Sequence, residues 1–133
     1  MKVRSGWVSN SSSSSFIIAT KGEIPHAKLK EVVAATLKVP PDSPLYYMAN
    51  EMASLLAHAD CYTLEQLLDE MGYDQAQDAF KYHPIISKAI KKGFDTYYYG
   101  SVSDEEGGVE DILCNIGIQY EDDTIMIDKE EGY

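Results

Sequence analysis

The sequence predicts an α+β domain in which a helical middle packs on a small mixed sheet made from the first strand and C-terminal strands. Three observations carry this. Near the N-terminus, Phe16-Ile17-Ile18-Ala19-Thr20 is a short apolar run of the kind that is buried on both faces of a sheet. Apolar side chains then recur at helical spacing in about five segments. From Thr96 onward the chain becomes rich in aromatic and hydroxyl residues, which suit a pleated strand. With 133 residues, 44% hydrophobic and 25% charged, residues 1–133 fit a single domain of ordinary globular composition.

Each element has a local reason. The first strand is closed by Lys21-Gly22. Leu29, Val32, Val33 and Leu37 mark one face of a helix from His26 to Lys38, which Pro40-Pro41 stops because proline clashes with the preceding turn. A second helix opens with Ser43 as N-cap and Pro44 in the first turn. It presents Leu45, Met48, Met52, Leu55, Leu56 and Ala59 and ends near Asp60. Thr63 and Gln66 have the spacing of a capping box. Leu64, Leu67, Leu68 and Met71 line the helix that follows, and Gly72 supplies a left-handed C-cap. Asp74 is expected to cap a short fourth helix running to Phe80. Pro84 starts a fifth, with Ile85, Ile86, Ala89 and Ile90 on its inner side, Lys88, Lys91 and Lys92 near its C-terminal end, and Gly93 closing it.

Thr96 to Val102 reads as a strand containing three adjacent tyrosines, Tyr97 to Tyr99. Val109, Ile112, Leu113 and Ile116 make a short helix ended by Gly117. Ile118-Gln119-Tyr120 and Thr124 to Asp128 then flank Glu121-Asp122-Asp123 as the two arms of a three-residue hairpin.

The formal charge is −11, from 22 acidic and 11 basic residues, which argues against a surface built on phosphate neutralisation and against an anionic membrane. It is unevenly spread: residues 1–40 sum to +4 and residues 104–133 to −10. The acidic C-terminal third, with Asp104, Glu105, Glu106, Glu110, Asp111, Glu121, Asp122 and Asp123, is therefore the candidate surface for a protein partner with a basic face. Met1 to Trp7 leads into serines rather than an apolar h-region, and no apolar run approaches a membrane span, so a cytoplasmic location is expected. In that compartment Cys61 and Cys114 are free thiols, and the Asn10-Ser11-Ser12 sequon goes unused.

Chemistry-bearing groups are few. Ser11 to Ser15, with Ser9 and Asn10 before them, read as a flexible loop within a serine-rich segment spanning residues 1–15. Its hydroxyls and backbone N–H groups would suit a phosphate, with Lys2 and Arg4 close by, but the glycines of a phosphate loop are missing. His58-x-x-Cys61 places two candidate ligands on one helical side if the helix continues, and Cys114 or His83 would have to complete a zinc shell. The same His58 and Cys61 are the candidate nucleophilic pair, without an identifiable orienting group. The acids around Gly107-Gly108 lack the spacing of a calcium loop and serve equally as a helix start. No catalytic residue, cofactor or metal is predicted.

The string Arg4-Ser5-Gly6-Trp7-Val8-Ser9-Asn10-Ser11-Ser12-Ser13-Ser14-Ser15-Phe16 resembles the opening of a set of small uncharacterised bacterial and phage-associated proteins. These begin with a basic residue, Gly, an aromatic, Val-Ser-Asn and a serine run ending in Phe. The resemblance implies membership of that set and a shared address or recognition tag, with no activity attached. The expectation from the whole sequence is a noncatalytic acidic binding or regulatory protein. A small enzyme or a metal- or phosphate-binding protein using the serine loop or His58 and Cys61 is one alternative, and a nucleic-acid mimic is another.

Overall fold

The computed structural model describes residues 13–103 and 108–130. Its elements run β1 (Ser13–Thr20), α1 (His26–Leu37), α2 (Tyr46–Ala57), β2 (Asp60–Tyr62), α3 (Leu64–Glu70), α4 (Ala76–Tyr82), α5 (Pro84–Lys91), β3 (Thr96–Ser103), α6 (Gly108–Asn115), β4 (Ile118–Glu121) and β5 (Ile125–Lys129). The α+β class stands, with strands at both ends and helices between. The five strands form one sheet of order β2-β3-β1-β5-β4.

That sheet is antiparallel at all four pairings, not mixed as expected. Strand direction is decided by the end of the sheet at which each helical connection re-enters, and periodicity does not encode this. β1 lies at the centre, with Ile17 opposite Tyr99 on one side and Asp128 on the other. Both faces are covered. Phe16, Ile18, Val102, Ile125 and Ile127 pack with α1, α2 and α6 on one face. Ile17, Ala19, Tyr97 and Met126 pack with α3, α4 and α5 on the other. The alternation of odd and even positions along β1 is the two-residue period of a strand read on two cores at once. Among the described residues no helix is long and apolar enough to cross a membrane.

Local capping holds where a specific side chain or a glycine supplies it. Thr63 Oγ1 accepts from the Gln66 N–H while Gln66 Oε1 accepts from the Thr63 N–H, a complete capping box. Gly72 and Gly93 sit at φ 81° and 83° after α3 and α5, the left-handed region where a side chain is costly. Pro84 opens α5. Three local expectations shift. Ser43 does not cap α2 directly: its hydroxyl accepts from the Leu45 N–H in a preceding turn, and the helix begins at Tyr46. The N-cap position of α4 is Gln75 rather than Asp74, without a side-chain cap bond. The hairpin loop is Asp122-Asp123-Thr124, one residue later than expected, because Glu121 still pairs with Met126.

Two larger corrections concern strands. Ser13 to Ser15 are not loop; they continue β1 opposite Ser103, Val102 and Ser101. Pairing with β3 takes up backbone groups on one side of these residues, and this overrides the local preference of serine for turns. Asp60-Cys61-Tyr62 is an edge strand on β3 where a helix end was expected. Three residues without apolar alternation give periodicity nothing to detect.

Candidate functional site

The most elaborated surface is the β4 edge and its hairpin. Asp122 builds the turn: its Oδ1 accepts from the Thr124 N–H at 2.7 Å, the Thr124 hydroxyl at 2.7 Å and the Ile125 N–H at 2.9 Å. This is an Asx-type turn, in which the side chain replaces a backbone acceptor. The other oxygen, Oδ2, accepts from the Tyr120 hydroxyl at 2.7 Å and lies 3.2 Å from Lys28 Nζ of α1. Lys28 Nζ is also 5.4 Å from the centre of the Tyr120 ring, within cation–π range.

Burial alone would raise the Asp122 carboxyl, but the hydrogen bonds from Tyr120, Thr124 and Ile125 outweigh it and hold the group well below the usual carboxylate range. Lys28 is held above its ordinary value, first by the Tyr120 hydroxyl and then by Asp122. Next to this triad, Glu121 pairs with Lys92 of the α5 C-cap at 3.3 Å, and Lys92 Nζ also donates to the Asp122 carbonyl at 3.4 Å.

Two grooves of about 390 Å³ each flank the edge strand and share Gln119 and Tyr120. One lies towards α1, with Val32, Ala35 and Thr36 on its wall. The other lies towards α5, with Pro84, Ile85 and Lys88 facing Glu121 and Asp128. They meet at β4 because, among the described residues, no further strand covers that side of the sheet.

The expected site residues scatter over this frame. Asp122 and Asp123 lie in the hairpin loop and Glu121 ends β4 beside them. Glu110 and Asp111 stand in the first turn of α6, which feeds the opposite end of β4. The acidic residues therefore occupy two places, and Asp122 is committed to the turn. Arg4 to Ser12 of the N-terminal motif, and Asp104, Glu105 and Glu106, lie outside the described residues. Ser14 and Phe16 of that motif are buried in β1.

His58 and Cys61 are not on one helical side, because α2 ends at Ala57 and Cys61 belongs to β2. The His58 ring contacts the Ser54 carbonyl through Nδ1. Cys61 is exposed on the sheet edge while Cys114 is buried in α6. Among the described residues no group of three or more His, Cys, Asp or Glu is placed to hold a metal ion.

Sequence reasoning did not single out Lys28, Gln119, Tyr120, Lys88 or Asp128, which belong to three separate stretches of chain. The Asp122-x-Thr124 spacing between two strand-like runs was the one available signal for the turn chemistry. No known protein family, no curated protein and no solved structure matches this chain.

Proposed function

We propose that this chain is a noncatalytic binding protein that presents its acidic C-terminal third, centred on the β4–β5 hairpin, to a protein partner with a basic surface. The observation that carries this reading is the charge left around the open β4 edge after internal pairing. Lys28 and Lys92 are taken up by Asp122 and Glu121. Among the described residues, Glu31, Asp123 and Asp128 have no such ion pair, and Lys88 is the cation left against them. The hydrogen-bonded turn holds that charge on a rigid scaffold, which lowers the ordering cost of association. A nucleic acid fits poorly, since a net charge of −11 repels phosphate.

The test is purification of the tagged full chain from its host at low and at high salt, alongside the E121K/D123K/D128K triple variant. A stoichiometric protein partner that dissociates as salt rises, and is lost from the triple variant, is the expected result. A partner retained equally by the variant at every salt concentration overturns the assignment.

A further inference from the structure

Resting on the binding reading above, we infer that the partner is held as an added β-strand: an extended, lysine- or arginine-bearing segment that hydrogen-bonds to the β4 edge and sends alternate side chains into the two grooves. The backbone geometry supplies the first argument. The Asp122 N–H donates to the Ile125 carbonyl at 2.9 Å, which makes that opposed pair a hydrogen-bonded one. Antiparallel ladders alternate, so Tyr120 with Ile127 and Ile118 with Lys129 are the next hydrogen-bonded pairs along the register. Gln119 and Glu121 then turn their N–H and C=O groups away from β5, towards the open side. Both residues are exposed. Two donors and two acceptors stand in a row at strand spacing, the arrangement an incoming strand pairs with.

The second argument is the groove on each side. Side chains of an added strand alternate between the two faces of the sheet. Those on the α1 face enter the groove beside Tyr120, Val32 and Ala35, and those on the α5 face enter the groove beside Ile85, Lys88 and Gln119. A plain edge would offer only backbone; here each alternate residue meets a shaped recess with an apolar wall and a charged rim. Ile118-Gln119-Tyr120-Glu121 contains no proline, so each position keeps its backbone donor, and its one charged residue, Glu121, repels an acidic strand and attracts a basic one.

Charge selects the occupant. A second copy pairing edge to edge would bring together two chains of −11 each, both carrying Glu121, Asp122 and Asp123 at the end of the pairing strand. A segment with Lys or Arg next to the hairpin is attracted by the same acids.

The experiment starts from a phage-displayed library of random dodecapeptides selected at low salt on the immobilised full chain. Selected peptides are then titrated into the ¹⁵N-labelled protein and into the Q119P variant. Proline at 119 removes an N–H that faces outward and leaves the pairing with β5 in place. The expected outcome is enrichment of basic, extended sequences whose binding slows hydrogen exchange at the Gln119 and Glu121 amides and weakens at least about tenfold in Q119P. The wild-type exchange measurement decides the matter on its own if the variant does not fold. Basic peptides that bind without protecting those amides overturn the added strand and leave the acidic binding surface standing. Selections with no basic enrichment overturn both. Protection of Gln119 and Glu121 that rises with protein concentration, without peptide, overturns the basic partner in favour of a second copy.

Discussion

The Lys129 ammonium, on a side chain only 1% exposed, donates to the carbonyl of Ile116 at 2.7 Å. It reaches the Cys114 carbonyl at 3.4 Å and the Glu130 carbonyl at 3.0 Å as well. Cys114 lies in the last turn of α6, so a lysine from β5 satisfies carbonyls that a helix end leaves without partners and places a cation at the negative end of the helix dipole. Lys129→Met keeps the apolar stem and removes the donors. The expected loss is about 1–3 kcal/mol of stability, measured by urea denaturation, because buried carbonyls are then left unsatisfied.

Ser14 presents the opposite case. Its hydroxyl is buried at 3% exposure in β1 and has no hydrogen-bond partner among the described residues. Ser14→Ala removes a desolvated polar atom and nothing that it holds, so the midpoint of urea unfolding rises, by about 0.5–1 kcal/mol in stability.

The depressed Asp122 carboxyl sets an acid dependence. In the unfolded chain this group takes up a proton near the ordinary carboxylate value of about 3.9, and in the folded chain only at lower pH. Its contribution is fully present above that unfolded value and disappears as pH falls through the folded one. Stability measured from pH 5 downward therefore declines in the native chain, and Asp122→Asn, which cannot titrate, shows a shallower decline from a lower starting point.

Gly100 faces Phe16 across the β1–β3 pairing. A Cβ built there comes within 3.3 Å of the Phe16 ring and 3.3 Å of the Ala59 Cβ, which is tight even for one methyl. Gly100→Val adds two more carbons against a core that is already closed, and a loss of about 1–3 kcal/mol is expected in thermal or urea unfolding.

The two thiols should react at different rates. Cys61 is exposed on the edge strand and Cys114 is buried between α6 and the sheet. A disulfide exchange reagent is expected to titrate one thiol quickly in the native protein and the second only on unfolding. Two fast equivalents would contradict the burial of α6.

Much of the fold follows from signals that act within one or two turns of chain. Thr63 and Gln66 cap each other because three residues separate them, and Gly72, Pro84 and Gly93 set helix ends through their own backbone restrictions. β1 was legible as far back as Phe16, where its apolar run begins. Ser14 and Ser15 were not, since distant residues, Val102 and Ser101 across the β1–β3 ladder and Glu130 at the Ser15 carbonyl, make them strand. β2 was invisible for the same reason, being held by Tyr97 to Tyr99 rather than by anything in Asp60-Cys61-Tyr62.

By itself, then, the sequence determined the α+β class, most helix boundaries, the hairpin near Asp122 and the excess of acid in the last third. Tertiary structure alone decided that all strands run antiparallel in the order β2-β3-β1-β5-β4, that Lys129 is buried on the end of α6, and that His58 and Cys61 part at the end of α2. It also decided that β4 is, among the described residues, the edge strand between two grooves. Caps and periodicity are short-range, whereas strand order and edge position come from pairings such as Ile17 with Tyr99, whose free energy exists only once distant parts of the chain have met.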